Sequence, residues 1–113
     1  MEVQRTIVSL IPIGHENAIS REKLTEMALI TGLITPECRD KDRQTRVLIS
    51  RARRENVILS ADDGGYFRPY KNDGKDMEMF RHYIAKERSR AIKTLMSIKY
   101  ARRYYQDIMR DRV

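Results

Sequence analysis

Helical spacing of apolar residues marks the first third of the chain. Between residues 3 and 11 the apolar positions predict a short helix, which Pro12 would end. Ser20 can cap a second helix, and Gly32 is placed to end it in the left-handed conformation. The apolar stripe of this second helix consists of Leu24, Met27, Ala28 and Thr31.

A third helix follows, and two starting points are open for it. Thr35, Pro36 and Glu37 can begin a helix near residue 36, whereas Asp40 or Asp42 can cap one that begins near residue 43. We expect a short helical turn at the first point and the main helix after the second. The apolar face of the main helix consists of Thr45, Leu48, Ile49 and Ala52, and it should pack on the second helix.

Two short β-favouring runs come next, at residues 57–60 and 66–67, and the segment ADDGG lies between them. Asp63, Gly64 and Gly65 tolerate a positive φ, so the pattern predicts a β-hairpin. The extended pair at 18–19 can add a third strand to it. The order of elements is therefore helix, helix, hairpin.

The last third of the chain has no Pro or Gly after residue 76 and predicts one helix of some 35 residues, roughly 50 Å long. Residues 71–75 form a polar linker before it. Apolar residues recur in steps of four and three, which predicts a dimer seam with the same helix of a second chain. The seam residues are Ile84, Ala91, Ile98, Tyr105 and Ile108. Glu87 and Thr94 weaken this repeat, and the alternative is a helix folded back along its own domain.

These elements predict a mainly α protein of the α+β class. A winged helix-turn-helix domain would occupy residues 1–70, the linker 71–75, and a long basic helix 76–113. A chain of 113 residues has room for one such core, so a second catalytic domain is not expected.

The charge is distributed unevenly. The chain carries a formal net charge of +7, yet residues 1–80 hold 13 basic and 13 acidic residues, whereas residues 81–113 hold 10 basic and three acidic ones. A second, local concentration lies at residues 39–54, with seven Lys or Arg against two Asp. Both basic surfaces suit a polyanion.

The outward face of the third helix carries residues whose side chains can recognise DNA. Arg can donate two hydrogen bonds to guanine, Gln can pair with adenine, and Val can contact a thymine methyl group. The candidates for base reading are Arg43, Gln44, Arg46 and Val47. The candidates for phosphate contact are Ser50, Arg51, Arg53 and Arg54, with Arg68 at the end of the hairpin. The alternative is a solvated arginine face.

A further basic surface near the end of the long helix interleaves with tyrosines and consists of Lys99, Arg102 and Arg103. Such a mixture can clamp phosphates or contact an acidic partner, whereas Tyr105 is expected to pack in the seam.

The sequence gives little indication of a catalytic or metal site. The single Cys38 has no Cys or His at metal-ligand spacing, and it fits a small, partly buried residue in a reducing compartment. His15 and His82 have no Ser, Cys or carboxylate constellation around them in the sequence. We expect no enzyme, no cofactor and no metal. The apolar run IVSLIPI is too short for a signal peptide or membrane span, so we expect a cytoplasmic protein with no membrane partner.

Three phrases resemble a family of small winged helix-turn-helix proteins of bacteriophages and prophages, in which an NAISR run opens the first motif helix. They are SLIPIGHENAISREKLTEMALITGL, RVLISRARRENVIL and GGYFRP. The resemblance covers residues 7–69, and the basic C-terminal helix is a looser match. It implies double-stranded DNA as the partner, with Arg43, Gln44 and Arg46 where the recognition helix begins. The segment between Leu33 and Asp42 is longer than in the family.

Three functions are compatible with these observations. The first is a sequence-specific transcription regulator that acts as a homodimer through its C-terminal helix. The second is an accessory factor in phage DNA replication, recombination or excision. The third is an adaptor whose winged domain binds protein.

Overall fold

The computed structural model describes residues 6–112 and is mainly helical, with one two-stranded antiparallel sheet. Its elements are α1 (Ile7–Leu10), a 3₁₀ helix (His15–Asn17), α2 (Arg21–Ile30), α3 (Lys41–Ala52), β1 (Leu59–Ser60), β2 (Tyr66–Phe67) and α4 (Gly74–Asp111). One compact unit ends at Phe80 and the next begins at Arg81. The expected order of helix, helix, hairpin is confirmed, while Val3 of the first predicted helix lies outside the described residues.

Both ends of α2 form as its sequence predicts. The Ser20 hydroxyl accepts a hydrogen bond from the Lys23 backbone N–H at 3.2 Å, which satisfies one of the free donors at the start of the helix. Gly32 has a φ of +81°, and a Cβ there would meet no atom within 4 Å. Backbone conformation alone therefore explains this glycine, because other L-residues rarely adopt that φ.

The start of α3 resolves the ambiguity in the sequence. The Asp40 carboxylate accepts a hydrogen bond from the Arg43 backbone N–H at 2.9 Å, and the helix begins at Lys41. The expected short turn near residue 36 forms as one hydrogen-bonded turn over residues 35–38, closed by Cys38 N–H and the Thr35 carbonyl, and it does not continue as a helix. The non-helical backbone of Asp40 separates this turn from α3.

The core lies where α1, α2 and α3 meet beside the hairpin. Leu24 and Ala28 of α2 and Ile49 of α3 are buried, as predicted. The Thr45 side chain is also buried, and its hydroxyl lies 2.7 Å from the Thr25 hydroxyl and donates to the Lys41 carbonyl. A buried hydroxyl is tolerated when its hydrogen bonds are made, so Thr45 fits this apolar contact.

The hairpin pairs Leu59 with Phe67 and Ser60 with Tyr66. Gly64 takes a φ of +90° in the turn. Ile19 forms an isolated antiparallel bridge with Tyr66, with N···O distances of 2.9 and 2.8 Å, so residue 19 pairs with the hairpin as expected but does not form a third strand. The sheet is therefore anchored to the segment that leads into α2.

Helix α4 begins at Gly74, two residues before the expected start at residue 76, so the linker is shorter than predicted. Asp73 caps it, because its Oδ1 accepts the Asp76 N–H at 3.0 Å. The Asp76 side chain is fully buried. Its Oδ1 accepts the backbone N–H of His15 at 3.2 Å and the ring Nδ1 at 2.5 Å, and its Oδ2 accepts the Tyr70 N–H at 2.8 Å.

The expectation that His15 lacks a carboxylate neighbour is therefore wrong, because folding brings together residues 61 positions apart. Burial alone would raise the pKa of Asp76, but the hydrogen bonds from Tyr70 and His15 outweigh it and hold the pKa below its ordinary value. This carboxylate joins the first turn of α4 to the 3₁₀ helix that begins at His15.

We expect Asp76→Asn to lower the free energy of unfolding at pH 7 by about 1–3 kcal/mol, because an amide has one acceptor oxygen and leaves a buried N–H unpaired. The pKa of Asp76 is lower in the folded state than in the unfolded state. The stability that Asp76 contributes is therefore complete above its unfolded-state pKa, near 4, and is lost as the pH falls through its folded-state pKa. Urea unfolding curves of wild type and variant should therefore converge under strongly acidic conditions.

The control is Asp62→Asn, which removes an exposed carboxylate at the hairpin turn and should change stability by less than about 0.5 kcal/mol. Equal stability of wild type and Asp76→Asn at pH 7 would refute the role of this carboxylate.

Candidate nucleic-acid interface

The packing of α3 determines which of its residues face outward. Thr45 and Ile49 are buried, so the opposite side of the helix is accessible. Exposed residues on α3 and just after it are Arg43, Arg46, Ser50, Arg51 and Arg54. Gln44, Val47 and Arg53 are half-buried. Four arginines and a serine of the predicted site thus lie on accessible surface of α3 and the residues just after it.

Arg46 is already paired in this structure. Its Nε lies 3.3 Å from Asp42 Oδ2, and Arg21 Nε donates to Asp42 Oδ1 at 2.6 Å. The hydrogen bond that Arg21 donates to Asp42 raises the pKa of the Arg21 guanidinium. One carboxylate therefore joins the start of α2 to the first turns of α3. The sequence pattern indicates Asp42 as a possible helix cap, and Arg21 lies outside the predicted site.

Arg53 is directed toward the hairpin. Its Nε donates to the Ile58 carbonyl at 3.1 Å and one Nη donates to the Ser60 hydroxyl at 3.2 Å. The guanidinium carbon lies 5.8 Å from the centre of the Tyr66 ring, a distance at which cation–π attraction acts. Arg53 thus fixes the end of α3 to both strands, and its predicted phosphate contact remains a prediction.

Arg68 also makes internal contacts. Its Nε donates to the Ile11 carbonyl at 2.8 Å, and its backbone N–H donates to the Pro12 carbonyl at 2.7 Å. Its own carbonyl accepts the Gly14 N–H at 2.8 Å. The half-buried Arg68 therefore holds residues 11–14 against the end of the hairpin, and a phosphate contact by this residue also remains a prediction.

The residues predicted on the C-terminal helix lie on exposed α4 surface. The seam residues are exposed, with fractions from 41% for Ile108 to 62% for Tyr105, and so is Ala91. Lys99, Arg102 and Arg103 are exposed as well. Lys99 and Arg103 line a shallow depression together with Met96 and Tyr100.

His15, Asp73 and Asp76 bring three possible metal-ligand atoms within 4.8 Å of one another. Both oxygens of Asp76 already accept N–H groups, and Asp73 Oδ1 accepts the Asp76 N–H. A cation there would have to replace hydrogen bonds that hold the start of α4. The arrangement is that of a structural tie between two segments.

No helix within residues 6–112 is long and apolar enough to cross a membrane. Comparison with protein-family models, with curated proteins and with solved structures finds no match to this chain. The function must therefore be inferred from the arrangement of the residues themselves.

Arg53 and Arg54 provide a matched test of the hairpin contact, because they are adjacent residues of one type. We expect Arg53→Ala to lower the free energy of unfolding by about 1–2 kcal/mol through the loss of its hydrogen bonds and its contact with Tyr66. Arg54→Ala, at an exposed position, should change it by less than about 0.5 kcal/mol. Urea unfolding measures both, and equal effects would contradict the structural role of Arg53.

Proposed function

We propose that this chain binds double-stranded DNA sequence-specifically through a winged helix-turn-helix formed by α2, α3 and the hairpin. In this proposal α3 is the recognition helix and the hairpin is the wing. The observation that supports it most is the two-sided character of α3. Its inward side is buried against α2, and its outward side carries exposed arginines at successive turns.

The chemistry of this surface favours a division of labour along α3. The residues near its start, Arg43, Gln44, Arg46 and Val47, are suited to base edges in the major groove. Ser50, Arg51 and Arg54 follow at exposed positions and are suited to phosphates. The internal hydrogen bonds of Arg53 and Arg68 favour a supporting role for both, since each holds the hairpin in place.

For the biological role we propose a dimeric transcription regulator of phage or prophage type, in keeping with the resemblance of residues 7–69. An accessory factor in phage DNA replication, recombination or excision is the second candidate. The exposed basic residues between positions 81 and 112 favour this second candidate. This segment has 10 basic and three acidic residues, and its net positive charge attracts any duplex irrespective of sequence.

Binding to a random duplex and to sites selected from a random pool, each at two salt concentrations, tests the proposal. Arg43→Ala should weaken binding to the selected site by about 1–3 kcal/mol and change binding to the random duplex less. Arg54→Ala should weaken binding to both duplexes alike and reduce the salt slope by about one.

A large ratio of selected to random affinity supports the regulator, whereas tight binding without sequence preference supports the accessory factor. Failure of the wild-type protein to bind any duplex would refute both and leave the protein adaptor.

We further propose that the exposed seam of α4 pairs with the same helix of a second chain. No Lys or Arg occupies the repeat positions from Phe80 to Ile108, although ten basic residues follow Phe80. Apolar and basic residues thus occupy different positions of the repeat, as in a helix with one partner-facing stripe.

Ile98→Glu should convert a dimer to a monomer in sedimentation equilibrium, because it places a charge at the middle of the seam. Ile98 is 49% exposed, so this substitution should cost the single chain little stability. The charge-matched control is Ser89→Glu, which lies on the other side of the same helix and should leave the dimer intact. A monomeric wild type, or equal masses for the two variants, would refute the seam.

A further inference from the structure

We infer that Asp42 is a specificity-determining positioning residue of the DNA interface. It orients Arg46 for base reading and withholds the guanidinium groups of Arg21 and Arg46 from phosphates. This inference rests on the proposed DNA-binding function. It assigns a role in that function to a residue whose negative charge would by itself repel DNA.

The first support is the position of Asp42. It lies in the first turn of α3, and Arg46 follows it by four residues, so the helix places the two side chains side by side. Arg21 reaches the same carboxylate from the start of α2. Each oxygen of Asp42 takes one guanidinium, at 2.6 Å for Arg21 and 3.3 Å for Arg46. The carboxylate is therefore held from two helices.

The second support is that Asp42 does not cap α3. The capping hydrogen bond is made by Asp40, which accepts the Arg43 N–H. An acidic residue in the first turn also favours the helix dipole, but that contribution requires no arginine partner. The two guanidinium contacts thus need an explanation beyond helix formation.

The third support is the atom of Arg46 that Asp42 engages. The contact involves Nε, which leaves both terminal nitrogens of the guanidinium for another acceptor. Guanine O6 and N7 are recognised by two parallel N–H donors of this kind. A guanidinium already oriented by Asp42 loses less conformational freedom when it binds the base.

The fourth support is electrostatic. One carboxylate beside two guanidinium groups leaves a local charge of +1 in place of +2 where phosphates would approach. The three side chains are 43%, 48% and 55% exposed for Arg21, Asp42 and Arg46, so their ion pairs are weak and compete directly with phosphate oxygens. Asp42 therefore lowers affinity for any duplex and leaves the end of Arg46 available for a correctly placed guanine.

The test compares Asp42→Asn with wild type on a selected site and on a random duplex across a salt series. Release of two guanidinium groups should tighten binding to the random duplex and steepen its salt slope by about one to two. The ratio of selected to random affinity should fall about tenfold. The Asp42 side chain is about half exposed, at 48%, and it is not the cap, so the variant should fold, and its thermal unfolding midpoint verifies this.

Glu26→Gln is the charge-matched control, because Glu26 is an exposed residue on the side of α2 opposite Leu24 and Ala28. It should tighten binding to both duplexes equally and leave the ratio unchanged. Asp42→Glu retains the carboxylate and should keep a ratio close to that of wild type.

A double-mutant cycle with Arg46→Gln tests whether Asp42 affects specificity through Arg46. If Asp42 acts through Arg46, Asp42→Asn should not lower the ratio further in the Arg46→Gln background. If Asp42→Asn and Glu26→Gln have equal ratios of selected to random affinity and equal salt slopes, the inference is wrong, although the proposed DNA binding is unaffected. Absence of wild-type binding to every duplex would overturn the proposed function and this inference together.

Discussion

The packing of α2 against α3 is the contact on which the candidate interface depends. Ala28 and Thr45 are small and fully buried, which allows the two helices to approach closely. Ile49 lies one turn after Thr45 and is also buried, so the rotation of α3 about its own axis is fixed. The hydrogen bond between the hydroxyls of Thr25 and Thr45 adds a directional contact at the same place. That rotation decides which side chains of α3 face outward.

Polar side chains then fix the remaining segments to this helix pair. Arg53 joins the end of α3 to the hairpin, Arg68 joins the end of the hairpin to residues 11–14, and Asp76 joins the start of α4 to His15. Each uses a charged side chain to make hydrogen bonds with backbone groups of another segment. Residues 1–80 hold equal numbers of basic and acidic residues. The basic ones nevertheless differ in whether their side chains can contact a ligand. Arg43 and Arg54 are exposed, whereas Arg53 and Arg68 hold the fold together.

The sequence predicted the features that depend on neighbouring residues. The Ser20 cap, the left-handed Gly32 and the turn at Gly64 are each determined within a few positions, and all three predictions are confirmed. The start of α3 was ambiguous because several residues before it can cap a helix, and local propensity does not choose among them. The folded chain uses Asp40.

The contacts that the sequence did not predict join distant positions. His15 meets Asp76 across 61 positions, and Arg21 meets Asp42 across 21. A carboxylate in a polar segment has the same local pattern whether it is solvated or buried against a distant histidine, so no periodicity reveals the pairing. For the same reason Arg53 and Arg54 were equivalent in the sequence, although only Arg53 reaches the Ile58 carbonyl.

The charge of α4 couples its two proposed roles. Pairing two copies along the seam would bring together two C-terminal segments that each carry ten basic and three acidic residues after Phe80. Their mutual repulsion opposes pairing, and salt screens it. A duplex would neutralise the same charges, and a ligand that binds the paired form more tightly than the single chain stabilises the pair. DNA binding and dimerisation would thus reinforce each other, although added salt weakens the first and favours the second.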